Sequence, residues 1–288
     1  MKLTTLHTYP IKGTRGLSHD EVDVELRGLK DDRRWMIVDG DNRFITQREV
    51  AALATIAVDK TINGLSIALH NSSGPTDFQF DVVHPNGEVR ADVQVWDDRV
   101  NAAIADDNAN AAISTALGRR AKLAYMDEKA MRLANADYAG ASKPVSFADG
   151  FPILLTTQAS LEALNAHIET SGAAPVPMQR FRPNAVVDGE SAWDEDRWSV
   201  VQIGGVIFDV VKPCTRCVVT TRDQKTGVGS NDAQPIRALT QIRRSADKNI
   251  RGVLFGVNLV PRGEGSLAVG DEFHILEKRA EPWPLAIR

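Results

Sequence analysis

Cysteine is nearly absent from this chain, with two in 288 residues. That excludes a fold stapled by several disulfides and a structural zinc scaffold built on cysteine. Apolar runs are short as well: none approaches the ~18 residues needed to cross a bilayer. Residues 1–7, Met-Lys-Leu-Thr-Thr-Leu-His, hold neither an apolar stretch nor a small-residue cleavage site. A cytoplasmic protein with no membrane association is therefore expected. Charge of one sign is missing too. The 34 Lys and Arg against 38 Asp and Glu leave a net charge of −4. No basic excess argues for nucleic acid or an anionic membrane surface.

What is present is ordinary for a soluble protein, 43% apolar and 25% charged. The length is about twice the usual prior of ~150 residues per domain, so two domains are expected. Residues 22–26, Val-Asp-Val-Glu-Leu, alternate with the period of a half-buried strand. Residues 35–38 and 44–46 flank Asp39-Gly40-Asp41-Asn42, a turn cluster that predicts a hairpin. Apolar-alternating runs at 65–69, 78–82 and 89–93 continue the pattern. Strands at this spacing predict a sandwich or small barrel rather than βαβ units. An Ala-rich helix is expected over residues 107–117, stopping at Gly118.

Residues 134–150 show no sustained period, and the domain boundary is placed within 125–150. Beyond it, residues 151–155 read as a buried strand, and Thr156-Thr157 leads into a helix with Leu161, Leu164 and Ile168 on one face. Ile203-Gly204-Gly205-Val206 marks a hairpin whose second strand runs into the cysteines. Residues 218–221 and 267–273 read as further strands. The expected fold is α+β, mainly β, with an N-terminal β-barrel-like domain over 1–125 and a second β-barrel domain with a few helices over 126–288.

The two cysteines sit three apart, in Pro213-Cys214-Thr215-Arg216-Cys217. Four readings compete. A zinc site lacks ligands, since no two histidines lie close in sequence. A thioredoxin-like pair needs a helix after the first thiol, and Val218-Val219-Thr220-Thr221 favours β structure. Both thiols could be small buried hydrophobes. One thiolate could also ligate a soft metal whose other donors come from a cofactor.

Residues 213–223, together with Thr226-Gly227, resemble the cysteine segment of MOSC-domain molybdenum enzymes. Phe181-Arg182-Pro183-Asn184 is similar to a second element of that signature. Tyr9-Pro10-Ile11-Lys12-Gly13, Asp32-Arg33-Arg34-Trp35 and Phe44-Ile45-Thr46-Gln47-Arg48 resemble marks of the β-barrel domain that precedes MOSC. The nearest subgroup by this resemblance is the mitochondrial amidoxime-reducing component and its bacterial relatives.

The resemblance implies a molybdenum cofactor, a pterin dithiolene in its mononucleotide-free form, with Cys217 as the metal ligand and catalytic residue. It implies reduction of N-hydroxylated compounds such as amidoximes and hydroxylamines. Lys12, Arg33, Arg48 and Arg182 become candidates for the cofactor's phosphate and pterin, because guanidinium forks and ammonium groups suit such anions. Asn184 is expected to bond the pterin edge, and Thr157 to present its hydroxyl and nearby N–H groups to an anion. Each has a plainer alternative: Lys12 and Arg33 as solvated charges, Thr157 as a helix cap, Arg48 paired elsewhere. The role of Cys214 stays open, as does that of Asp194-Glu195-Asp196, a run that is usually a solvated loop.

Some relatives of this kind carry a ferredoxin domain marked by C-x4-C-x2-C, and the sequence has no such cysteines. Gly263-Glu264-Gly265 lacks the context of a dinucleotide fingerprint, and no pyridoxal phosphate is expected. Electrons are expected from a separate iron–sulfur, haem or flavin protein. The competing functional readings are a non-catalytic cofactor carrier or sulfur-transfer protein, and a cofactor-free thiol oxidoreductase.

Overall fold

Period-two alternation recurs from the first residues, and sheets dominate the computed structural model, which describes residues 1–69 and 78–286. The largest sheet has eight strands. In spatial order they are Phe273–Lys278, Trp198–Ile203, Val206–Arg216, Val253–Pro261, Ile153–Thr157, Ala185–Val187, Leu3–Thr8 and Leu17–His19. The chain's first strand is thus built into a sheet whose other members come mostly from the second half. Three further sheets are smaller: a four-stranded one through Trp35–Asp39, and two of three strands. Four α-helices occur among the described residues, so the fold is mainly β, as expected.

Two large apolar cores account for most of the packing. One joins Leu3, Leu6, Ile153, Trp198, Phe208 and Val257 within the eight-stranded sheet. The other joins Ile11, Trp35, Ile37, Leu53, Ile56 and Leu123 in the N-terminal part. Fully burying side chains of this size stabilises by about 1.5–3 kcal/mol each. Asp106 caps the helix Asp107–Leu117 by accepting from Ala109 N, and Gly118 ends it in the left-handed conformation at φ 62°. The helix Gln158–Glu169 buries Leu161, Leu164 and Ile168, the face its spacing predicted.

Three local expectations change. Residues 218–221 form a 3₁₀ turn instead of a strand. The Thr220 and Thr221 hydroxyls donate back to the carbonyls of Cys217 and Val218, at 2.9 and 2.8 Å. Those local bonds outcompete the β preference of the branched side chains. Residues 44–46 make only a bridge, Phe44 opposite Val38. The Asp39 carboxylate accepts from the backbone of Asp41 and Arg43 and closes the turn too tightly for a longer ladder. Residues 267–273 split between two strands, Gly265–Ala268 and Phe273–Lys278, because the Asp271 carboxylate accepts from Ala268 N and turns the chain.

The two cores meet where the chain leaves its first strand. Lys12 N donates to Trp35 O, Arg33 N to Tyr9 O, and Phe147 N to Arg33 O. These bonds, at 2.8 to 3.0 Å, lay residues 9–12, 33–35 and 147 side by side. Beside that seam the long strand Val206–Arg216 ends, and Cys217 follows it.

Candidate functional site

The seam opens into a cavity of about 570 Å³, lined from both halves of the chain. Among the described residues, eight Lys and Arg side chains line it against one carboxylate, Asp149. Lys12, Arg33 and Arg48 come from the first half; Arg180, Arg182, Lys212, Arg216 and Arg251 come from the second. A cationic pocket in a chain of net charge −4 is a local arrangement, not a reflection of composition.

Lys12 is buried at 8% exposure and donates to Phe147 O at 2.8 Å and Asp149 Oδ1 at 2.5 Å. Its ammonium also lies 5.4 Å from the Phe44 ring centre and 5.9 Å from that of Trp96. Burial lowers its pKa, and Asp149 opposes that shift. Asp149 is walled in by protein, yet its side chain is 79% exposed where it faces the open cavity. Burial favours its neutral form, but Lys12, Arg33 and the Trp96 indole together hold the carboxyl well below the usual range. Arg132 fixes this segment from behind, donating to the carbonyls of Ser146, Ala148 and Asp149.

Arg33 and Arg182 both adopt left-handed backbone, at φ 50° and 55°, a conformation costly outside glycine. Both guanidinium groups lie over the Tyr9 ring, 4.5 and 4.2 Å from its centre. Arg33 donates to Asp32 at 2.5 Å and to Asn184 Oδ1 at 3.1 Å. Burial acts against its charge, but Asp32 more than compensates and its pKa rises. Arg182 has no carboxylate at hydrogen-bond distance among the described residues. Burial, with Arg33 nearby, brings its pKa down to about 10, and its Nη2 is buried without a partner. Tyr9 is buried, and burial pushes its phenol up to about 12.

Cys217 is half-buried and follows the strand's last residue; its carbonyl accepts from Thr220 N. Cys214 is also half-buried, and its Sγ accepts from Arg216 Nη1 at 2.9 Å. Both thiols are free and both line the cavity. Arg216 also donates to Phe181 O at 2.5 Å, while its buried Nε has no partner. No group of three or more His, Cys, Asp and Glu able to hold a metal ion comes together among the described residues.

Six of the seven residues singled out from sequence therefore converge: Lys12, Arg33, Arg48, Arg182, Asn184 and Cys217. Arg48 stacks on Trp96, 5.1 Å from its centre, and makes no ion pair among the described residues. Asn184 reaches the wall, but its amide is already engaged. Its oxygen accepts from Leu154 N and Arg33 Nη1, and its nitrogen donates to His7 O, each at 3.1 Å. It holds the wall together rather than offering a free donor edge. Thr157 is not in the cavity. It is fully buried, caps the helix through Ser160 N, and lies 3.4 Å from Glu195. Sequence reasoning missed Asp149, which ends an aperiodic stretch that reads as a linker. It also missed Arg180 and Arg251, which look like ordinary surface charges in a linear reading.

A family model described as the MOSC N-terminal beta barrel domain matches residues 1–120, and one described as the MOSC domain matches residues 142–274. The mitochondrial amidoxime-reducing component 1 of Mus musculus is 27% identical over 94% of this chain and 81% of its own length. The molybdenum cofactor sulfurase of Oryza sativa subsp. japonica is 25% identical over 93% of this chain. This chain spans only about a third of that plant protein, 34% of its length. A solved structure, the YUAD protein of Bacillus subtilis, aligns over 94% of this chain and 93% of its own at 9% identity, with a TM-score of 0.39. By the two domain matches, which together run through most of its length, the chain belongs to the MOSC proteins, with a MOSC N-terminal beta barrel domain ahead of a MOSC domain.

Proposed function

We propose that this protein is a molybdenum-cofactor-dependent oxidoreductase that reduces N-hydroxylated compounds, amidoximes and hydroxylamines, with electrons from a separate donor protein. The observation that carries the reading is one cavity holding eight cations, one carboxylate and the only two thiols of the chain. A pterin dithiolene with a phosphate is anionic, edged with hydrogen-bonding groups, and needs one soft protein donor at its metal. The residues fit it. Arg182 Nη2 and Arg216 Nε are buried without partners, and such atoms cost stability unless a ligand accepts from them. The volume lies in the range of cofactor and ligand pockets.

Lys12, Arg33 and Arg182 would hold the anionic groups, with Arg48 at the Trp96 side. Asp149 stays ionised and is therefore suited to accept from pterin N–H groups. Cys217 would supply the thiolate, and soft thiolate donors suit such metals. Arg216 would keep Cys214 engaged and away from that role. When bound, the cofactor supplies two-electron cleavage of the N–O bond, leaving the reduced nitrogen and water. The lining carboxylate is held as an acceptor, so the protons consumed would come from solvent through the mouth. The relatives named as amidoxime-reducing components support the reaction class.

The match to a plant molybdenum cofactor sulfurase supports a second reading, a carrier or sulfur-transfer protein that turns nothing over. The test is anaerobic reduction of an aromatic amidoxime by cofactor-replete protein supplied with an artificial reductant. Turnover is expected. Molybdenum present without turnover favours the carrier, and absence of molybdenum overturns both readings.

A further inference from the structure

Behind Arg182, two glutamines 177 positions apart pair amide to amide. Gln47 Nε2 donates to Gln224 Oε1 at 3.0 Å and to Gly13 O at 2.8 Å. Gln224 Nε2 donates to Gln47 Oε1 and to Arg222 O, each at 3.2 Å. Both side chains are buried, at 2% and 8% exposure, and all four amide N–H donors are used. Gln224 Oε1 makes one further bond, accepting from Arg182 Nη1 at 2.9 Å.

The loop that carries Gln224 is braced for this. The Asp223 carboxylate accepts from the backbone of Lys225 and Thr226, both at 2.9 Å. Arg15 reaches over from the N-terminal part to Lys225 O. At Gly227, φ 72°, an added Cβ would stand 2.8 Å from Ala51 O, so the loop lies directly on that part. The loop follows the turn that begins at Cys217, which makes the glutamine pair a strut between the two halves of the site.

We propose that Gln224 is a positioning residue: a neutral tether that fixes Arg182 by one nitrogen while leaving its full charge for the anionic group of the cofactor. The contrast is Arg33, which sits against Asp32 and is partly neutralised by it. A carboxylate at 224 would hold Arg182 equally well, or better, since charged hydrogen bonds are stronger. It would also cancel the charge the ligand needs. An amide holds the geometry without that cancellation. This inference rests on the cofactor reading above.

The experiment compares wild type, Arg182→Ala, Gln224→Glu and Gln224→Met, each purified from cofactor-replete cells. Molybdenum and pterin per chain are measured beside thermal midpoints. Both Gln224→Met and Gln224→Glu lose the amide donations to Gln47 Oε1 and Arg222 O. Beyond that shared loss, Met keeps the Arg182 charge but loses the tether, and Glu keeps the bond to Arg182 and cancels its charge. The expected order of cofactor content is wild type, then Met, then Glu, with the Glu variant down by about tenfold or more. The expected order of thermal midpoints places Glu above Met. A merely structural role predicts that cofactor content follows stability, with Glu above Met in both, and that result overturns the tether. Glu and wild type equally loaded while Arg182→Ala is empty overturns it as well. Wild type without molybdenum overturns the cofactor reading itself, and the tether with it.

Discussion

Lys12 and Asp149, 137 positions apart in the chain, meet with 2.5 Å between Nζ and Oδ1 at the seam of the two cores. Each changes what the other can do. The ammonium keeps the carboxyl ionised, and the carboxylate makes a buried ammonium tolerable. Lys12→Met removes one partner, so the Asp149 carboxyl is expected to titrate at higher pH, measured by a carboxyl NMR titration. Because the folded value is depressed, the associated stability is present above the ordinary carboxyl range and fades as pH falls through the folded value. The variant should lose that acid sensitivity and most of its cofactor. An unmoved Asp149 midpoint would show that Arg33 and Trp96 suffice.

The two thiols are expected to separate cleanly. Cys217→Ser should empty the site of molybdenum, measured by elemental analysis. Cys214→Ser should keep it, because the hydroxyl remains an acceptor for Arg216, which now bonds the Cys214 sulfur. Cys214→Ala instead strands Arg216 Nη1 and should lower stability by about 1–2 kcal/mol in urea unfolding. Equal loss of metal from both serine variants would refute a single-ligand assignment.

Much of the site is legible in the sequence because its cations sit in short motifs. Lys12, Arg33, Arg182 and Cys217 each stand in a recognisable run, and all four line the cavity. Thr157 misleads because a threonine before a helix looks the same whether it caps the helix or faces a ligand, and only packing against Glu195 decides. Asn184 points to the right wall, but its amide is committed to bonds with residues far away in sequence, which spacing does not encode. Strands are visible through alternation; their partners are not. Nothing local says that Leu3–Thr8 lies between Ala185–Val187 and Leu17–His19, since that order depends on the long-range pairing of Leu3 with Val187 and Leu6 with Ala185.

Tyr9 divides into two separable functions. Its hydroxyl donates to Pro183 O at 3.0 Å, and its ring lies under Arg33 and Arg182. Tyr9→Phe keeps the ring and strands the carbonyl, so stability should fall by about 1–2 kcal/mol while cofactor content holds. Tyr9→Leu removes the aromatic face as well. It should cost cofactor in addition, because both guanidinium groups lose the surface that orients them. Identical cofactor content in the two variants would argue against the ring as a platform.

Glu195 is the clearest source of pH-dependent stability. It is 1% exposed, accepts from Ser160 Oγ at 2.9 Å, and leaves Oε1 unpartnered. Burial raises its pKa from the ordinary 4.5 to about 7. The folded protein therefore prefers the protonated acid. That stability is fully present below the unfolded value near 4.5 and is lost as pH rises through about 7. The change amounts to about 3 kcal/mol, at roughly 1.36 kcal/mol per pKa unit. Urea midpoints of the wild type should drop between about pH 5 and pH 8. Glu195→Gln, which stays neutral, should flatten that slope and be the more stable protein at about pH 8. Parallel pH profiles for the two would place the ionisation elsewhere.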